Sequence, residues 1–88
     1  MSILAVFRSR SQSLDFAEKL VKYGISAETV AAPKEAKIGC GLCVRFEERN
    51  FVRVFAILKI GKYSTFKGFY KTEFSYGRQI VTPYTIRG

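Results

Sequence analysis

The residues most able to do chemistry lie together near the middle of this 88-residue chain. Its two cysteines, Cys40 and Cys43, are separated by two residues and stand beside Gly39 and Gly41. Two thiols at this spacing can form a disulfide, share a metal ion or carry a transferable sulfur atom. Because the thiolate does this chemistry, nearby positive charge matters, since it lowers the pKa of a cysteine. The candidate cations nearby in the sequence are Lys34, Lys37 and Arg45.

The rest of the composition narrows what this motif can be. The chain has no histidine, which excludes Ser-His and Cys-His catalysis and a Cys2His2 zinc site within one chain. Four-sulfur zinc ligation would need two chains, so we predict no metal and no cofactor. A redox-active pair normally stands at a helix N-terminus, whose dipole acidifies the first thiol, whereas this pair precedes a predicted strand. A general oxidoreductase is therefore disfavoured.

Periodic hydrophobic patterns divide the chain into strands and helices. Short apolar or alternating runs, which are typical of strands, cover residues 3–7, 25–32, 42–46 and 63–70. Apolar residues at helical spacing predict two helices, over about residues 12–23 and 48–60, with Ser9 or Ser11 as a cap for the first. The apolar stripes that we expect to face the core are Leu14, Ala17, Leu20 and Val21 in the first helix and Phe51, Val54, Phe55 and Leu58 in the second.

The resulting order of elements, βαββαβ, predicts an α+β domain of the ferredoxin-like type. In that arrangement both helices cover one face of a four-stranded antiparallel sheet. We expect residues 1–71 to form this domain and residues 72–88 to form a C-terminal extension that adds a strand or hairpin. Pro83 restricts that strand to an edge of the sheet. Because an unpaired edge invites another chain, we expect it to lie at a homodimer interface.

The strong positive charge indicates either a soluble basic surface or an acidic partner. The formal net charge is +8, which favours nucleic acid, an anionic protein surface or an anionic substrate. The segment from Tyr63 to Tyr76 interleaves aromatic residues with lysines, so a nucleic-acid-binding sheet face is an alternative function. It does not match the motif of RNA-recognition domains. No apolar run is long enough to cross a bilayer and no signal peptide is evident, which predicts a cytoplasmic protein without a membrane partner.

A family resemblance rests on two blocks of sequence. These blocks are Ala32-Pro33-Lys34-Glu35-Ala36 and Cys40-Gly41-Leu42-Cys43-Val44-Arg45-Phe46. They resemble the small bacterial selenium/sulfur carrier protein-like family in its basic-acidic loop, its Cys-Gly pair and its Arg-Phe ending. The resemblance covers about residues 1–71. Lys34 replaces the usual arginine and Cys43 replaces a small residue.

The resemblance implies a carrier rather than a turnover enzyme. Cys40 would hold sulfur or selenium taken from a donor protein until an acceptor protein removes it, and Cys43 would serve as an auxiliary thiol. Glycines on both sides leave the thiol open and offer backbone N–H groups to an anion. Positive charge from Lys34, Lys37 and Arg45 would favour the thiolate. A structural or interaction domain with inert cysteines is the second alternative.

Overall fold

Five strands and two helices follow one another along the chain. The computed structural model describes residues 1–36 and 41–84, apart from the side chain of Glu35. The elements are β1 (Ser2–Phe7), α1 (Arg10–Lys22), β2 (Ala27–Ala31), β3 (Leu42–Glu47), α2 (Phe51–Gly61), β4 (Phe66–Ser75) and β5 (Arg78–Tyr84). Short 3₁₀ turns, Lys34–Ala36 and Glu48–Asn50, precede β3 and α2.

All five strands form one antiparallel sheet in the order β2-β3-β1-β4-β5. The predicted α+β class is confirmed, and the sheet has five strands, of which β5 lies in the C-terminal segment. The predicted helices and strands all form, with bounds shifted by a few residues. No helix within the described ranges has the length and apolar character needed to cross a bilayer.

The central strand β1 separates two hydrophobic clusters. Ile3, Ala5 and Phe7 lie on one side of the sheet because side chains alternate along a strand. They pack in the main core with residues from both helices, which therefore cover the same face of the sheet. Leu4 and Val6 lie on the other side, in a smaller cluster completed by Ala36 and Cys43. The 3₁₀ turn before β3 thus covers part of the face that the helices leave open.

Helix α1 presents only part of the predicted stripe to the core, namely Leu20, which is buried, and Ala17, which is partly buried. Leu14 and Val21 are exposed, whereas Ser13, Phe16 and Leu20 are buried. The large ring of Phe16 accounts for this rotation, because it packs against Phe7 with 5.3 Å between ring centroids. In α2 the expected stripe is confirmed, since Phe51, Val54 and Leu58 are buried and Phe55 is partly buried.

The C-terminal segment returns along β4 as an edge strand. Cross-strand pairs run from Phe69 with Tyr84 to Ser75 with Arg78. The Tyr84 ring meets Phe51 at 4.9 Å between centroids, which fastens β5 to the main core. The predicted division after residue 71 falls within β4 and stays a prediction, as does the homodimer interface.

The hairpin turn between β4 and β5 yields a stability prediction. Its two loop residues, Tyr76 and Gly77, have φ values of +53° and +73°, and the tyrosine is fully exposed. Tight hairpin turns with two positive φ angles favour Asn-Gly, and the left-handed region costs other L-residues roughly 1 kcal/mol. We expect Tyr76→Asn to raise the free energy of unfolding by about 1 kcal/mol in urea titrations. Tyr76→Ala removes the same ring without relieving the backbone, so equal stabilities for the two variants would contradict this account.

Candidate functional site

Cys43 lies in the middle of the smaller cluster. It occupies the second position of β3, pairs in register with Val6 on one side and Val30 on the other, and is fully buried. Ala36, from the 3₁₀ turn, packs in the same cluster and is also buried. The Cys43 thiol donates a weak hydrogen bond to the carbonyl oxygen of Ala31 at 3.8 Å. This thiol therefore behaves as a small packing group, shielded from a donor or acceptor protein.

Burial also keeps Cys43 protonated. Removal from water raises the pKa of its thiol to about 11, although the nearby positive charge of Arg45 acts in the opposite direction. Desolvation wins because a thiolate loses more from burial than it gains from one partly exposed guanidinium. At neutral pH the environment of Cys43 thus disfavours the reactive thiolate considered for it in the sequence analysis.

Arg45 is engaged with a carboxylate on the neighbouring strand. It lies on the same face of β3 as Cys43 and directly opposite Glu28 of β2, with which it forms a hydrogen-bonded salt bridge. Both side chains are about half exposed, so water screens the pair and its contribution to stability is small. The guanidinium of Arg45 acts on the Cys43 thiol through its charge, while it donates a hydrogen bond to the carboxylate of Glu28.

The segment that carries Cys40 leaves the sheet and returns to it at defined points. The backbone N–H of Ala32 donates to the carbonyl oxygen of Gly41 at 3.0 Å, which closes the base of the connection between β2 and β3. Within it, the N–H of Ala36 donates to the carbonyl of Pro33 at 3.1 Å. Lys34 is exposed on the 3₁₀ turn. The predicted site residues Lys37, Gly39 and Cys40 lie outside the described residues.

A tertiary hydrogen bond joins the start of β3 to the first turns of α1. Ser13 is fully buried, and its hydroxyl donates to the carbonyl oxygen of Leu42 at 2.8 Å. The N-terminus of α1, capped by Ser9 through the N–H of Gln12, therefore lies at the same end of the sheet as Gly41. This contact was not predicted from the sequence. Its signal is a polar residue at helical spacing from Phe16 and Leu20, on the stripe that faces the core.

Polar side chains reinforce the same end of the sheet. The side-chain carbonyl of Gln12 accepts hydrogen bonds from the backbone N–H and the hydroxyl of Thr65, at 3.0 and 2.6 Å. The amide of Gln12 lies 3.1 Å from the hydroxyl of Ser64. The N–H of Arg8 donates to the carbonyl of Thr65 at 2.9 Å. These bonds hold the end of β1, the start of α1 and the approach to β4 together.

Most aromatic residues of the basic, aromatic segment are part of the core. Tyr63, Phe66 and Phe69 pack with the helices, and the half-buried Tyr70 packs against the smaller cluster on the opposite face. Phe74 and Tyr76 are the strongly exposed aromatics of this segment, 78% and 100% accessible. The arrangement therefore lacks the row of exposed rings on which an RNA-recognition sheet stacks bases.

Within residues 1–36 and 41–84, no group of three or more His, Cys, Asp or Glu side chains could hold a metal ion. The described parts of the site are Gly41, which ends the connection that carries Cys40, the buried thiol of Cys43 and the N-terminus of α1. They belong to a small α+β domain with one antiparallel sheet.

Comparison with known proteins identifies the family of this domain. The family described as "Putative Se/S carrier protein-like" matches residues 2–71. Because the match spans most of the chain, the protein belongs to this family, which confirms the resemblance noted from the two sequence blocks. Neither a curated protein nor a solved structure matches the chain.

The buried thiol generates a prediction about alkaline stability. The folded state raises the pKa of Cys43 from 9.0 to about 11, so it retains a proton that the unfolded chain loses. The stabilising contribution is complete below pH 9 and is lost as pH rises to 11, a change of about 2–3 kcal/mol. The contribution of Cys43 can be measured by urea unfolding from pH 7 to 11 of two proteins, Cys40→Ser and Cys40→Ser/Cys43→Ala. The difference between their free energies of unfolding gives it at each pH.

Subtracting the unfolding free energies of the two proteins also cancels the contributions of other groups that titrate at alkaline pH. Burial, followed by hydrogen bonding to a carboxylate, raises the pKa of both Tyr63 and Tyr84, and these tyrosines are common to both proteins. A difference in unfolding free energy that does not change between pH 9 and 11 would show that Cys43 ionises as freely in the folded state as in the unfolded chain.

Proposed function

We propose that this protein is a sulfur or selenium carrier that holds the chalcogen on Cys40. The observation that carries the proposal is that the fold encloses one of the two cysteines in this member of a carrier-like family. Cys43 is fully buried and has a raised pKa, which disfavours its use as the carrier thiol. Cys40 precedes Gly41, the residue at which the β2–β3 connection rejoins the sheet.

The transfer needs only a thiolate and a persulfide. The Cys40 thiolate attacks the terminal sulfur of a persulfide donor, R–S–SH, and forms a new S–S bond. The donor's own S–S bond breaks, and R–S⁻ leaves and takes up a proton. An acceptor nucleophile later attacks the same terminal sulfur and releases the Cys40 thiolate, so no external oxidant or reductant is consumed. A selenium atom would be relayed in the same way from the corresponding selenium analogue.

The described surroundings support this chemistry in two ways. The N-terminus of α1 lies at the end of the sheet where β3 begins, as the bond from Ser13 to Leu42 shows, and the positive end of a helix dipole favours a thiolate. Lys34 is exposed on the preceding turn and can add to that field. In redox motifs the helix that lowers the pKa of the cysteine follows it directly in the sequence. Here α1, which precedes Cys40 in the chain and is separated from it by β2, would have that role.

The partners in this proposal are a donor protein and an acceptor protein, and the carrier itself does not turn over. We propose that the domain has the ferredoxin-like fold. The βαββαβ order and the sequence of strands β2-β3-β1-β4 support this assignment, with β5 as an added edge strand.

Persulfide loading tests the assignment of the carrier thiol. After incubation with glutathione persulfide and removal of excess donor, we expect intact-protein mass spectrometry to show one added sulfur atom. Cys40→Ser should abolish the addition, because it removes the attacking thiolate. Cys43→Ala should retain it and lower stability by about 1 kcal/mol, since it removes one buried sulfur. Loading that persists in Cys40→Ser and disappears in Cys43→Ala would assign the chemistry to the other thiol and overturn the proposal.

A further inference from the structure

Four exposed cations converge at the end of the sheet where β3 begins. Arg8 follows β1, Arg10 begins α1, Lys62 follows α2 and Lys67 lies near the start of β4, and all four are exposed. We call this surface the cationic edge. It brings together residues that lie up to 59 positions apart, from Arg8 to Lys67. Its charge therefore depends on the topology of the fold rather than on a basic run in the sequence.

The contacts around the cationic edge show that its parts are fixed relative to one another. The N–H of Arg8 is bonded to Thr65, two residues before Lys67. Phe7 and Phe66 are paired in register, so Arg8 and Lys67 extend from adjacent strands. Tyr63, next to Lys62, packs its ring 5.4 Å from that of Phe7. The same end of the sheet includes Leu42, which Ser13 binds.

The cationic edge is electrostatically unbalanced. Among the described residues, none of its four cations forms a salt bridge. The opposite end of the sheet also has cations without a salt bridge, but the carboxylates of Glu28, Glu47 and Glu73 lie there and offset its positive charge, and two of them pair with Arg45 and Arg49. The carboxylate of Asp15, in α1, already accepts a hydrogen bond from Tyr63 at 2.6 Å and lies 4.0 Å from Lys19. The surplus positive charge of the edge thus lies at the same end of the sheet as Gly41, where the β2–β3 connection rejoins it.

We infer that the cationic edge is the docking surface for an acidic face of the donor or acceptor protein. This inference rests on the proposed carrier function and names the chemistry of its partner. Two strands and two helices contribute, and neighbouring helices pack about 8–10 Å apart, so the charges are spread too widely for one small anion. A carboxylate-rich protein surface matches both the spread and the sign of the charge.

The position of the exposed aromatics favours a protein over single-stranded nucleic acid. Phe74 and Tyr76 lie at the far end of the β4–β5 hairpin. Lys67 and Tyr76 are nine residues apart along an extended strand, which corresponds to about 30 Å. Proteins that bind single strands place aromatic stacking surfaces within a basic groove, whereas here the rings and the cationic edge are at opposite ends.

The first measurement uses Cys40 as a reporter of local charge. Cys40 is alkylated with anionic iodoacetate and with neutral iodoacetamide, and the two rates are compared by mass spectrometry. The edge variant is Arg8→Gln/Arg10→Gln/Lys62→Gln/Lys67→Gln. The control, Lys22→Gln/Arg49→Gln/Arg53→Gln/Arg78→Gln, removes the same charge from the opposite end. Because cations near a thiol raise the local concentration of an anionic reagent, we expect the iodoacetate-to-iodoacetamide ratio to fall about threefold in the edge variant at 0.1 M salt, and further at 0.01 M.

The second measurement identifies the class of partner. Poly-L-glutamate serves as the carboxylate probe and oligouridylate as the nucleic-acid probe, and protection of Cys40 from iodoacetamide is followed for each. We expect poly-L-glutamate to protect wild-type protein and the control variant and to lose this effect in the edge variant. Stronger protection by oligouridylate, reduced by Phe74→Ser or Tyr76→Asn, would overturn the inference in favour of nucleic acid.

These results separate the docking inference from the carrier proposal. An alkylation ratio that falls equally in both variants, or in neither, overturns the cationic edge as a local feature even if Cys40 accepts sulfur. Absence of sulfur loading on wild-type Cys40, with the expected ratio and protection, would overturn the carrier function while retaining the cationic edge as a docking surface for an acidic protein. Circular dichroism of both variants verifies that charge removal leaves the fold intact.

Discussion

The alternation of side chains along β1 controls the rest of the molecule. This strand is paired on both sides, with β3 and β4, and is buried on both faces from Ile3 to Phe7. A shift of one residue would exchange the residues that face the helices for those that face the smaller cluster. The register therefore determines which side chains meet Phe16 and which meet Cys43. It also aligns the ends of β3 and β4 at the cationic edge.

This arrangement encloses Cys43, one of the two cysteines. Cys43 lies opposite Val6 in the sheet and packs against Ala36 of the 3₁₀ turn. The second cysteine of the motif is therefore buried inside the fold. Gly41 lies where the β2–β3 connection is closed by its bond with Ala32. A Cys-x-x-Cys motif at this position is therefore not a symmetric pair of reactive thiols. This asymmetry is the structural basis for proposing one carrier cysteine.

The distribution of charged side chains on the surface also depends on the tertiary structure. Salt bridges neutralise Arg45 and Arg49, whereas the cationic edge combines single cations from four separate segments. Helix α1 adds its N-terminal dipole at this end, because Ser13 holds its first turns against Leu42. The cationic edge and this helix N-terminus thus place positive charge at one end of the sheet, although lysines and arginines are scattered along the sequence.

The sequence by itself determined the elements, their order and the α+β class, because the period of a hydrophobic pattern is a local property. It also determined that Cys43 and Arg45 share one face of a strand, and its blocks around Cys40 indicated the family. Tertiary structure alone decided that Phe16 and Ser13, rather than Leu14, face inward. It likewise decided the burial of Cys43, the pairing of Arg45 with Glu28 and the grouping of the edge cations. These features depend on contacts between residues far apart in the chain, and sheet order, register and the covering turn create those contacts.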